Sequence, residues 1–154
     1  MLTFHTVPFQ FLLDNNNFGE MILAHNEEVE INNLIPDVNF DLYLLLDKNN
    51  LLHNVAVMDN NILVGYASFT ISPSMHHKTS TWATDNFYYL KPKYRNGKNS
   101  LKLFQFCEES LINRNIDYMF LTCKAKKDNS RLFGFMGFEP NTQQFFKKIG
   151  NKNG

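Results

Sequence analysis

The chain has no net charge, since fifteen lysines and arginines balance fifteen aspartates and glutamates. No overall field therefore steers it to nucleic acid or to an anionic membrane surface. Cysteine is scarce: Cys107 and Cys123 stand alone in 154 residues, inside predicted regular elements. This excludes a disulfide scaffold and fits a reducing, cytoplasmic compartment. Five prolines and seven glycines form no linker, so one domain covering residues 1–154 is expected. No apolar run approaches the roughly 18 residues of a membrane span, and Met1 to Val7 lacks the basic and apolar order of a signal peptide. Metal ligation has no support either, because no cysteine or carboxylate stands at ligand spacing from His76-His77.

Apolar bulk is what the sequence has. Hydrophobic residues make up 44% of it and phenylalanine alone contributes 15, enough for a dense core. Leu2 to Val7 alternates as a strand and Pro8 closes it. Phe9 to Val29 has helical spacing, with Asn15 to Gly19 dividing it in two. A short helix is expected at Phe40 to Leu46, with Leu42, Leu45 and Leu46 on one side. The period then changes to that of strands, at Asn54 to Met58 and Ile62 to Ile71, joined by the turn Asp59-Asn60-Asn61. A third antiparallel strand, Thr79 to Leu90, follows a loop with His76 and His77. Leu101, Phe104, Cys107 and Leu111 form the stripe of a helix packed on the sheet. Ile116 to Cys123 is expected as a buried central strand, parallel to its neighbour. A helix at Asn129 to Phe135 and a last strand at Gln143 to Ile149 complete an α+β pattern with helices on both faces.

Between the third antiparallel strand and the packed helix lies Tyr94-Arg95-Asn96-Gly97-Lys98-Asn99-Ser100. A strand that stops at Pro92 and turns through Gly97 into a helix presents unpaired N–H groups at the positive helix end, where a phosphate sits well.

The order of these residues resembles the GCN5-related N-acetyltransferases. The match is carried by Leu90-Lys91-Pro92-Lys93-Tyr94-Arg95, the turn Asn96 to Ser100, the helix to Asn113, the strand Ile116 to Cys123, and Gly137-Phe138-Glu139-Pro140. His25-Asn26-Glu27-Glu28-Val29, Val64-Gly65-Tyr66-Ala67, Ser72-Pro73 with His76, Trp82 to Asn86, and Lys124 followed by Asp128 are similar to a branch common in phage and prophage genomes. The resemblance implies a mostly antiparallel twisted sheet with one parallel pair, and direct acetyl transfer from acetyl-CoA to an amine of a small molecule or protein. It places the coenzyme against Tyr89, Leu90 and Lys91, the turn Arg95, Asn96, Gly97, Lys98, Asn99 and Ser100, and Asp128 and Phe133. A homodimer is compatible with it.

Two positions depart from the family pattern. Gly97 comes one residue early, with Lys98 where the central glycine is usual. Phe133 replaces a tyrosine that protonates the departing thiolate in many members, and phenylalanine has no proton to give. A coenzyme thiol with pKa near ~8.5 still leaves without an acid. An amine of pKa near ~10 needs a base, for which Asp85, His76 and His25 are the candidates. Each also has a plain structural reading: Arg95 and Lys98 as solvated charges, His76-His77 as an exposed hairpin pair, His25 as a packing residue, Asp85 as a satisfier of backbone groups at a bulge. The competing function is a catalytically impaired binding or host-interaction protein of the same fold.

Overall fold

The computed structural model describes residues 1–30, 36–124 and 126–150. Its sheet has five strands in the order β1-β2-β3-β4-β5. They are β1 (Leu2–Val7), β2 (Leu52–Asp59), β3 (Ile62–Pro73), β4 (Thr81–Leu90) and β5 (Tyr118–Phe120). The first four pair antiparallel and β4–β5 is parallel, as expected. The β2–β3 hairpin turns on Asn60 (φ 46°) and Asn61 (φ 65°), two successive left-handed residues that match the twist of a tight hairpin.

Helices cover both faces. On one, Leu103, Cys107 and Leu111 of α4 (Gly97–Ile112) lie on Val55, Val57, Ala67, Phe69 and Ala83. On the other, Phe9 and Leu12 of α1 (Phe9–Leu13) and Phe18 and Met21 of α2 (Phe18–Val29) lie on Ala56, Leu63, Tyr66 and Tyr89. The break between α1 and α2 falls at the predicted asparagines. The helix α3 (Phe40–Lys48) is capped by Asn39, whose side chain accepts from Leu42 N–H at 3.0 Å. It turns Tyr43 and Leu44 inward, Tyr43 stacking on Phe9 at 4.8 Å, while Leu42 and Leu45 are exposed, contrary to the predicted face.

Two further expectations fail at the far edge. The segment Ile116 to Cys123 contributes only three strand residues, and they form an edge rather than a buried centre. Gln143 to Ile149 forms no strand, and Phe145, Phe146 and Ile149 are exposed. The causes are linked: the β4–β5 ladder ends at Thr84 and Phe120, so little strand remains to template a neighbour. Phe145 and Phe146 are also adjacent, so a strand would turn one of them to each face. α5 (Ser130–Phe135) ends as expected at Gly137 (φ 87°), where Phe138 N–H closes onto Phe133 C=O at 3.0 Å.

On the α4 face, His53 is buried at 2% exposure between Ser110, 2.7 Å from its Nε2, and the Arg114 guanidinium. Burial and that neighbouring cation lower its pKa to about 4, and burial lowers that of His25 to about 4 as well. The unfolded chain therefore takes up protons near pH 6.5 that the folded chain refuses, so stability is lost as pH falls from about 6.5 toward 4. Asp85, pushed up by burial, works the other way, while Glu28, held down by Arg95 and Lys127, works with the histidines. The expected result of urea unfolding is a loss of about 1–2 kcal/mol between pH 7 and pH 5 from His53. A midpoint that shifts as much in His53→Gln as in the native protein would contradict its neutral burial.

Candidate active site

β4 carries a bulge. Ser68 pairs with Phe87 and Phe69 with Asp85, which leaves Asn86 as the extra residue. Asn86 is held there by Thr70, whose hydroxyl donates to its Oδ1 at 2.8 Å. Because the bulge inserts one residue, Asp85 before it and Tyr88 after it project to the same side, toward Thr122 beyond the end of β5. Thr122 N–H donates to Asp85 Oδ1 at 3.1 Å and its hydroxyl to Oδ2 at 2.9 Å. Tyr88 O–H donates to Thr122 C=O at 2.7 Å and accepts from Asn129 at 3.1 Å. Side chains thus replace the missing ladder, and they hold the two strands apart at a fixed width.

The splay opens a cleft of about 290 Å³ between β4, the start of α4, the β5–α5 segment and the end of α2. The open edge of β4 supplies its polar groups. Lys91 N–H donates to Val64 C=O at 2.9 Å. By strict alternation Tyr89 also bonds to β3, and the peptide groups of Tyr88 and Leu90 turn to the cleft. Leu90 C=O does so visibly, accepting from Arg95 Nε. Of the three predicted backbone contacts, Leu90 is the one whose N–H faces the open side.

At the end of that edge, Pro92–Tyr94 makes one 3-10 turn and Asn96 caps α4, its Oδ1 accepting from Asn99 N–H at 2.8 Å. Gly97 and Lys98 are first-turn residues whose N–H groups have no intrahelical acceptor. A Cβ at Gly97 would meet nothing within 4 Å. The fold itself gives no reason for a glycine there, and the space is free for a ligand.

Charge gathers at the cleft mouth. Arg95 lies over the Tyr89 ring at 5.0 Å and binds Glu28 Oε1 at 2.8 Å, while Lys127 binds Glu28 Oε2 at 2.6 Å. Glu28 therefore joins α2 to both walls of the splay, and an anionic ligand of Arg95 competes with it. In the sequence Glu28 stands out only as part of the His25 to Val29 run. Its signal was the spacing of three from His25, which puts both on one helix face. Thr122, Tyr88 and Asn129 gave no local signal, since their pairing depends on the splay.

The predicted residues divide. His25, Asp85, Tyr89, Leu90, Arg95 and Ser100 line the cleft. His76 does not: it is exposed in the β3–β4 loop, where Ser74 Oγ accepts its backbone N–H at 3.2 Å. Asp128 accepts from Ser130 N–H at 2.8 Å at the start of α5, which lowers its pKa. Phe133 is buried against Phe104, Tyr88 and Phe138 rather than exposed to the cleft. Asn96, Lys98 and Asn99 ring the start of α4. Cys123, expected inside a buried strand, is exposed and lies beyond the end of β5. Among the described residues no three His, Cys, Asp or Glu gather as a metal site, and no helix is long and apolar enough to cross a membrane.

A five-stranded sheet splayed after one parallel pair, with helices on both faces, is the architecture of known acetyltransferases. It is shared with a ribosomal-protein-alanine N-acetyltransferase from Brucella melitensis biovar Abortus 2308, at a TM-score of 0.76 and 12% identity over 98% of this chain and 99% of that one. A possible acetyltransferase from Clostridium difficile 630 gives 0.74 and 14% over 98% and 99%. A predicted acetyltransferase with acetyl-CoA from Clostridium acetobutylicum gives 0.66 and 15% over 96% of each chain. No curated protein matches the chain. Residues 20–143 match the acetyltransferase (GNAT) family, and the chain belongs to that family. Its acetyltransferases use acetyl-CoA as the acetyl donor.

Proposed function

We propose that this protein is an N-acetyltransferase that moves an acetyl group from acetyl-CoA directly to an amine, of a small molecule or a protein, with both substrates held in the β4–β5 splay. The observation that carries the reading is a continuous one: an open strand edge leads into a helix start whose first N–H groups have no intrahelical acceptor, with room above Gly97. The residues fit the coenzyme. Leu90 N–H offers a donor along the edge, and the first-turn N–H groups of Gly97 and Lys98 with the Lys98 ammonium suit a pyrophosphate. Ser100 and Arg95 flank it. When bound, acetyl-CoA supplies a thioester-activated acetyl group.

The chain's own work is then positioning, an N–H donor for the reacting oxygen, and removal of the amine proton. Asp85 is the proton acceptor in this reading. Burial raises its pKa above the ordinary carboxylate value, the direction that suits a base, and Thr122 occupies only two of its roughly four lone-pair sites. The phage-type branch belongs to the same proposal and rests on the His25 to Val29 and Trp82 to Asn86 runs.

Calorimetry with acetyl-CoA and thiol release with an amine panel test it. Gly97→Ala sharpens the test, because alanine is the better helix former and nothing crowds its Cβ. The variant is expected to match or exceed the native melting temperature yet bind acetyl-CoA about tenfold more weakly, equivalent to about 1.4 kcal/mol. Binding without turnover for any amine would replace the enzyme with a binding protein of the same fold. No binding at millimolar acetyl-CoA would end both readings.

A further inference from the structure

His25 lines the cleft and has no task in the mechanism above. Its surroundings fix which of its nitrogens holds the hydrogen. Tyr66 is 1% exposed, and its hydroxyl has one partner among the described residues, His25 Nδ1 at 3.4 Å. If the phenol accepted from Nδ1–H its own hydrogen would be left without a partner among the described residues, which is costly for a buried hydroxyl, so the favoured arrangement has Nδ1 presenting its lone pair to Tyr66. In the neutral ring the hydrogen is then on Nε2. Nε2 has no hydrogen-bond partner among the described residues, and it belongs to a side chain that lines the cleft.

We propose that His25 is not a base but a neutral Nε2–H donor, locked in that tautomer by Tyr66, for an oxygen of the bound ligand. The ligand part of this rests on the N-acetyltransferase reading; the tautomer does not. The donor selects an uncharged or anionic oxygen at that point of the cleft and disfavours an ammonium. The charges around it agree. His25 faces Tyr66 from β3, Tyr89 from β4, Glu28 on its own helix, Arg95 from the turn, and Lys124 and Lys127 from the β5–α5 segment. Three cations oppose a charged ring, and the one carboxylate is engaged by Arg95 and Lys127. Burial is the larger cause, and with those cations it brings the pKa to about 4.

Long-range proton–nitrogen spectra of the ligand-free protein, labelled at histidine, read the tautomer directly, with His25→Gln assigning the signal. A bare Nδ1 and protonated Nε2 from pH 8 to pH 5.5 are expected, and Tyr66→Phe should let the tautomers mix. An Nδ1–H form, or titration near the ordinary 6.5, would overturn the proposal. Kinetics use acetyl-CoA and the amine of the panel that releases thiol fastest. His25→Gln, which keeps a donor, should stay within threefold of native. His25→Leu should raise KM at least tenfold for the substrate that carries the oxygen. Both variants should keep the native acid limb of the pH profile. An acid limb lost in His25→Gln, or an unchanged KM in His25→Leu, rejects the donor. A native protein with no turnover rejects the N-acetyltransferase reading instead and leaves the tautomer measurement standing.

Discussion

Replacing Asp85 by asparagine should lower turnover at least tenfold while leaving acetyl-CoA affinity within about twofold, the signature of a lost general base, which contributes about 10²–10⁴-fold. The substitution separates the two duties of this side chain. Asparagine retains an oxygen to accept from Thr122 N–H, and its amide faces a hydroxyl that is free to reverse its bond, so the brace across the splay survives. What it lacks is a basic lone pair. Asp85→Ala loses both duties and should weaken acetyl-CoA binding as well. The pH dependence has a defined sign. Burial raises the Asp85 pKa, so the base is competent only above that raised value, and activity falls as pH drops through it. That limb sits at higher pH than an ordinary carboxylate would give, and it should vanish in Asp85→Asn. Because a half-buried carboxylate with a raised pKa opposes folding when ionised, the asparagine variant should melt no lower than the native protein at pH 7. Native turnover in Asp85→Asn would leave the residue a brace alone.

How much of this was written in the sequence follows from the range of the interactions. Strands β1 to β4 and the helices α1 to α5 were legible because each is set by local period and by turn residues such as Asn60 and Asn61. The phosphate-type turn was legible for the same reason. The splay was not. It depends on a one-residue slip at Asn86 and on Thr122, thirty-seven residues from Asp85, receiving side chains instead of a ladder. Apolar residues through Ile116 to Leu121 look like a buried strand in either case, and only the missing neighbour makes β5 an edge. Arg95 shows the same limit. Its place beside a helix start was evident, but its partner Glu28 lies sixty-seven residues away on α2.

The other large effect is expected at Gly65, and it contrasts with Gly97. Gly65 pairs with Leu90 next to the β2–β3 irregularity at Val57 and Met58, where strands approach closely. A Cβ there would lie 2.7 Å from Tyr89 C=O, 2.8 Å from Leu90 Cδ1 and 3.2 Å from Leu90 Cα. The leucine tip is the end of a flexible side chain, but the Tyr89 carbonyl is backbone in a paired strand and cannot give way alone, so the end of β4 must move. Overpacking of this kind costs about 1–3 kcal/mol, or roughly 2–12 °C in melting temperature for a chain of this size. The movement falls on the edge that carries Leu90 N–H, so Gly65→Ala should also weaken acetyl-CoA binding, by more than stability loss explains at a temperature where the variant is folded. Thermal melts and calorimetry on Gly65→Ala and Gly97→Ala together read the difference. Gly65 is constrained by the protein's own backbone and Gly97, in the proposed reading, by the coenzyme, so the first should lose stability and affinity and the second affinity alone. A Gly65→Ala protein as stable as the native one would show that β4 is not held where its contacts place it, and with that the Leu90 donor would lose its fixed position.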